Sequence, residues 1–110
     1  MSETEVARAT VISRDGGCIA PLIDPQGSGR CYDRWGMEMP RRSRQSALDL
    51  EVDRIRDEGM MGKAPTHLDT TRMVAVCPGH HRGAGPNAGR QWATSHREEI
   101  RAYLARVNGA

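Results

Sequence analysis

Met73-Val74-Ala75-Val76-Cys77-Pro78-Gly79-His80-His81 carries the densest chemistry in the chain. Met73 to Cys77 read as a buried strand, Pro78-Gly79 breaks it, and His80-His81-Arg82 begins a short helix. A Cys and a His two residues apart across such a strand-to-helix turn can both reach one zinc ion. Such a turn supplies two ligands, and a structural zinc takes four. Cys18 and Cys31 are the other thiols of the chain, so Cys18, Cys31, Cys77 and His80 would complete a Cys3His tetrahedron. The Cys18–Cys31 separation is wider than a tight knuckle, and three small buried thiols that never meet are the alternative reading.

Composition gives that ion a purpose. A chain of 110 residues is one domain on ordinary size grounds. Hydrophobic residues make up 37% and aromatic residues 4%, with two Trp, two Tyr and no Phe. A domain of this size buries about two-thirds of its unfolded surface even when well packed. With few large apolar side chains, the core is expected to be thin, and the 12 Gly and 6 Pro add conformational entropy for folding to overcome. A bound metal is the natural supplement. Other classes fall away. No apolar run approaches the roughly 20 residues of a membrane span. The acidic start Met1-Ser2-Glu3-Thr4-Glu5 lacks a signal-peptide layout. An odd number of cysteines without such a signal argues for reduced thiols, hence a cytoplasmic protein with no membrane partner.

Around the central stretch the chain reads as α+β. Residues 2 to 14 form a helix with Val6, Ala9, Thr10 and Val11 on one face, ended by Asp15-Gly16-Gly17. Residues 18 to 48 show little periodicity and read as a long loop with a turn near Cys18 and a short pairing near Cys31. Leu50 and Val52 alternate with Glu51 and Asp53, so Leu50 to Ile55 read as a strand that can pair antiparallel with Met73 to Cys77. Ser95-His96-Arg97-Glu98 is a capping-box pattern, followed by Ile100, Tyr103, Leu104 and Val107 at helical spacing. The core then spans about residues 18–91, between flanking helices at about 2–14 and 95–107.

Two further residues bear on chemistry. Neighbours on a helix point about 100° apart. If His80 faces zinc, His81 turns elsewhere, where Asp53 near the end of the first strand could meet it. A carboxylate and an imidazole make a sparse site for a divalent cation. An exposed carboxylate paired to an Arg is the alternative for Asp53, and on spacing alone it wins. The positive charge of the chain, net +2, comes from fifteen Arg and the single Lys63. Arg suits phosphate because its planar fork donates two parallel hydrogen bonds, and a GC-rich genome is the alternative source of the bias. Arg41, Arg42 and Arg44 form a basic cluster that reads either as a solvated loop or as a nucleic-acid contact. Trp35 and Trp92 are expected in the core, and the methionines, Met60-Met61 among them, as gap fillers or loop residues.

The strand bearing Asp53, a loop, the strand ending at Cys77 and then Cys-x-x-His-His resemble the HNH nucleases, whose core is a ββα-metal finger. The likeness is nearest to the small zinc-stabilised HNH proteins of actinobacterial phages. It rests also on Arg14-Asp15-Gly16-Gly17-Cys18-Ile19 and Trp92-Ala93-Thr94-Ser95-His96-Arg97, and covers about residues 5 to 107. The resemblance implies a treble-clef-like ββα-metal (His-Me finger) core. It implies Cys18, Cys31, Cys77 and His80 as structural zinc ligands, and Asp53 and His81 as ligands of a catalytic Mg²⁺, Mn²⁺ or similar ion. It implies DNA as partner, metal-dependent phosphodiester hydrolysis, and a bacterial host's cytoplasm with other phage proteins at hand. Arg41, Arg42, Arg44, Arg54, Arg82 and His96 are then the expected DNA contacts.

The departure from the family is at its general base. The pattern has Asp-His where this chain has Asp53-Arg54, and Arg72 stands where the middle Asn or His belongs. An arginine side chain stays cationic and carries no acceptor, so Arg54 cannot take a proton from water. Three readings follow: a binding module that keeps the fold without turnover, a nuclease whose base is His67 or His96, or a weakened form of an active parent. Arg54 is expected beside the Asp53–His81 pair, where it would hold phosphate, and Arg54→His would then restore nicking.

Overall fold

The structure is a computed structural model that describes residues 2–41, 49–55, 69–87 and 91–109. Its first helix, α1 (Glu3–Asp15), starts where the Ser2 hydroxyl accepts the Glu5 N–H at 3.1 Å. It stops at Gly16, whose φ of 72° is left-handed and whose N–H reaches the Ile12 carbonyl at 2.8 Å. The buried face is Ala7, Val11 and Asp15, one residue per turn. Of the expected face Val11 is buried, but Val6 is 50% exposed, and Ala9 and Thr10 face solvent. Asp15 explains the rotation. Its carboxylate accepts the Ala75 N–H at 2.8 Å and the Tyr103 hydroxyl at 2.6 Å, so the helix turns the acid inward.

The stretch after α1 contains the short pairing expected at Cys31 and is otherwise more structured than a long loop. It holds a one-turn helix, α2 (Ala20–Ile23), and a hairpin of β1 (Cys31–Tyr32) and β2 (Glu38–Met39). The register is Cys31↔Met39 and Tyr32↔Glu38. Elements of two to four residues are too short to leave a period in the sequence. Strands β3 (Glu51–Arg54) and β4 (Met73–Val76) form the second antiparallel pair, with Asp53 opposite Val74. A 3-10 turn, Thr70–Arg72, leads into β4 and is capped by Asp69. All four residues of β4 are buried, because α1 and α5 both pack against it.

Helix α3 (Pro78–Arg82) follows β4 directly. Pro78 sits where a missing N–H costs nothing, the Cys77 sulfur accepts the His80 N–H at 3.4 Å, and Gly83 at φ 76° closes the helix. A second 3-10 turn spans Gly85–Asn87. The C-terminal segment divides into α4 (Trp92–Ser95) and α5 (Arg97–Val107), which share no continuous axis because His96 at φ −120° interrupts them. The expected capping box is not formed. Ser95 Oγ donates back to the Gln91 carbonyl at 2.9 Å, and no side chain caps α5. Ile100, Tyr103 and Leu104 bury its inner face against a core that includes Val11, Ile19, Val74 and Val76. The domain is thus a small α+β unit, and among the described residues no helix is long and apolar enough to cross a membrane.

Candidate metal centre

Four side chains from four points in the chain meet under the start of α3. Cys18 follows the glycines that end α1. Two bonds fix its backbone: Ile19 N–H to the Ala75 carbonyl at 2.9 Å, and Arg41 Nε to the Cys18 carbonyl at 2.7 Å. Cys31 opens β1, Cys77 caps α3, and His80 lies one turn later. Their sulfurs stand 3.7, 3.9 and 3.1 Å from His80 Nδ1, in that order. All four ligand atoms lie within 4.8 Å of one another, and all four residues are buried. Tetrahedral coordination with metal–sulfur bonds of about 2.3 Å and a metal–nitrogen bond of about 2.0 Å spaces donors by roughly 3.5–3.8 Å. The observed distances bracket that value, so the donor set fits a structural metal ion. His80 Nε2–H donates to the Ser28 carbonyl at 2.6 Å, which leaves Nδ1 as the free ligand atom.

The charges suit a cation. Hydrogen bonds from Cys18 and Cys31 hold the Cys77 thiol far below its ordinary range, against the opposing effect of burial. Burial pushes the Cys18 thiol up. Burial also works to neutralise His80, but its hydrogen bonds to Cys31 and Cys77 win and raise it to about 10. Three sulfurs and an imidazole are a set from which a soft divalent ion displaces protons. Trp92 walls the cluster, edge-on to His80 at 5.9 Å and stacked on His96 at 4.5 Å.

His81 faces away from this cluster and onto β3. Its Nδ1 lies 2.9 Å from Glu51 Oε1, and its Nε2 lies 3.5 Å from Asp53 Oδ1. Arg97 Nη1, from the first turn of α5, holds Asp53 Oδ2 at 2.6 Å, and Arg82 holds Glu51 Oε2 at 2.9 Å. Burial works to raise the Asp53 carboxyl, yet the hydrogen bond from His81 and the charges of Arg97 and His81 bring it below the ordinary value. The hydrogen bond to Asp53 lifts His81 above its ordinary value, burial opposes it, and Glu51 adds to the rise. Asp53 and His81 therefore share one small polar site. Two of its members, Glu51 and Arg97, escaped the sequence reading. Glu51 was within reach of it, because residues two apart on a strand share a face. Arg97 was not, since nothing local relates the start of α5 to β3.

Other expected residues lie elsewhere. Arg54 is not beside the pair. Strand alternation sends it to the other face of β3, where it lines a cavity with Thr4 and Arg8 of α1, Val52 and Met73. Arg41 is a strap, its guanidinium bonded to the Cys18 and Asp15 carbonyls. Arg82 is half exposed and paired to Glu51. His96 lies against Trp92, with Nδ1 2.8 Å from the Trp92 carbonyl and Nε2 3.8 Å from Asp24. Trp92 packs as expected, but Trp35 is 72% exposed. Arg42, Arg44, Met60, Met61, Lys63 and His67 lie outside the described residues. No protein-family model, no curated protein and no solved structure matches the chain.

Proposed function

We propose that this chain is a zinc-stabilised DNA-binding domain of the HNH type that hydrolyses phosphodiester bonds slowly. The observation that carries the reading is the convergence of Asp53 Oδ1 and His81 Nε2 at 3.5 Å, with Glu51 on the far nitrogen of the same imidazole. A carboxylate on one ring nitrogen is the usual device that presents the other to a metal. The order β3, β4, α3, with thiol and imidazole at the last turn, supports a ββα-metal, treble-clef-like core around zinc. A divalent ion between Asp53 and His81 would supply charge stabilisation at the leaving oxygen and the phosphoryl group.

The chain's own residues do the rest. Glu51 accepts the His81 Nδ1 proton and fixes the ring. Arg97 occupies Asp53 Oδ2 and leaves Oδ1 for the ion. Arg82 and Arg97 add positive charge where a phosphate would approach. No described side chain is placed as the proton acceptor, since Arg54 is on the other face and has no lone pair to offer. Loss of a positioned base costs about 10² to 10⁴-fold, so turnover is expected to be slow. The lack of an acceptor among the described residues also favours a second reading, a catalytically silent HNH-derived module that binds DNA.

Nicking of supercoiled plasmid separates the two. Slow nicking with added Mg²⁺ or Mn²⁺ is expected, abolished in Asp53→Ala and His81→Ala and lowered about 10- to 100-fold in Glu51→Gln. Arg54→His is expected to leave the rate unchanged. Plasmid binding with no nicking above the Asp53→Ala background would establish the silent module instead.

A further inference from the structure

The tip of the β1–β2 hairpin presents an aromatic ring that is largely exposed. Trp35 is 72% exposed and Met37 66%. The backbone of the tip is nevertheless held by hydrogen bonds. Asp33 Oδ1 accepts both the Trp35 and the Met37 N–H at 2.9 Å, and the Met37 carbonyl accepts the Asp33 N–H at 2.8 Å. Gly36, at φ +80°, lies backbone to backbone against Gly85, so close that a Cβ on either would sit under 3.0 Å from the other's Cα. The Arg34 guanidinium backs one face of the indole at 4.8 Å. A large ring left in water has a hydrophobic cost that a bound partner would remove.

Charge and position say which partner. Among the described residues, two ion pairs lie nearby: Arg30 with Glu38 at 3.1 Å and Arg34 with Asp49 at 3.3 Å. A near-neutral, cation-backed aromatic face suits a nucleobase, which is itself a neutral aromatic plate, better than it suits a phosphate. The tip is also tied to the candidate site. Asp49, which holds Arg34, precedes Asp53 by four residues, at most about 14 Å of chain. Gly85, which holds Gly36, lies just beyond α3, the helix that bears His81.

We infer that Trp35 is a stacking platform for an unpaired base beside the Asp53–His81 site, so that the substrate class is DNA with a single-stranded or extrahelical nucleotide. The inference rests on the DNA-binding reading above. In a continuous duplex every base is stacked on its neighbours, and none is free to meet the indole.

The test uses labelled oligonucleotides of one sequence as continuous duplex, single strand and single-bulge duplex, read by fluorescence anisotropy without added divalent ion. The full chain is compared with Trp35→Ala and Trp35→Phe, each checked for an unchanged thiolate–Co²⁺ absorption spectrum. The parent is expected to prefer the bulged duplex and the single strand, with Trp35 emission quenched on binding. Trp35→Ala should bind these two about 5- to 150-fold more weakly and leave duplex binding nearly unchanged, while Trp35→Phe keeps most of the preference. If Trp35→Ala matches the parent on all three DNAs, the platform is refuted and the DNA reading stands, leaving the ring for a protein partner. If the parent binds none of them and nicks no plasmid, the DNA reading itself fails, and the platform with it.

Discussion

Asp15 has its side chain fully enclosed, between Arg14, the Ala75 N–H and the Tyr103 hydroxyl. The buried Ala75 N–H and Tyr103 hydroxyl lose their acceptor if the carboxylate goes, while Arg14 keeps the Thr70 and Met73 carbonyls. Asp15→Ala is therefore expected to cost about 3–5 kcal/mol, and Tyr103→Phe about 1–2 kcal/mol, read as urea midpoints of the metal-loaded protein. His81 supplies a residue-scale test of a different kind. Its imidazolium, raised above 6.5, contributes stability that is complete below pH 6.5 and is lost as pH climbs through the raised value. Asp53, depressed below 3.8, contributes stability above that pH and loses it as the medium turns more acid than its lowered value. An ion at the pair competes with the His81 proton, so divalent affinity should rise with pH through the same titration. Imidazole NMR is expected to place His81 above 6.5, and Glu51→Gln should move it back down. A His81 that titrates at 6.5 in both proteins would remove the Glu51 contact from the account.

The short elements owe their positions to contacts between backbones. Gly17, at φ +144°, lets the Cys18 turn pass beneath the Arg41 carbonyl, and an added Cβ would meet that oxygen at 2.2 Å. Neither the dihedral nor the space tolerates alanine. Gly17→Ala should cost at least about 2 kcal/mol and weaken metal retention, because it displaces the turn that delivers Cys18. A dye that competes for the released ion would report the second effect. Helix α3 illustrates the same economy. Five residues cannot form a stable helix alone, yet Pro78, the Cys77 sulfur and Gly83 define both ends, and the turn delivers His80 to one cluster and His81 to another.

At the scale of the whole molecule, the Cys3His cluster ties together three parts that are distant along the chain: the end of α1, the β1 hairpin and the β4–α3 turn. Metal ligation in small fingers supplies on the order of 10 kcal/mol, comparable to the entire stability of a domain this size. A strong chelator is expected to unfold the chain in one cooperative step seen by circular dichroism. Elemental analysis should return one equivalent of zinc before treatment. A chain that keeps its helices after the ion is stripped would show that apolar packing alone suffices.

Several features of this chain were legible in its sequence because they depend on neighbours along it. Cys77-x-x-His80 marked a strand-to-helix turn with two donors, the Leu50–Ile55 alternation marked β3, and Gly16 marked the end of α1. That Cys18 and Cys31 would join the turn followed only from their being the remaining thiols, and the fold had to bring them there. What the tertiary structure alone decided are the matters of facing. Asp15, not the apolar count, set the rotation of α1. The packing of α5 placed Arg97 on the Asp53 carboxylate, whereas the separation of Arg54 from Asp53 was already implied by strand parity. The hairpin that holds Trp35 in solvent left no periodic trace at all. Spacing along a chain fixes which side chains share a face, but only packing between distant segments fixes what that face meets.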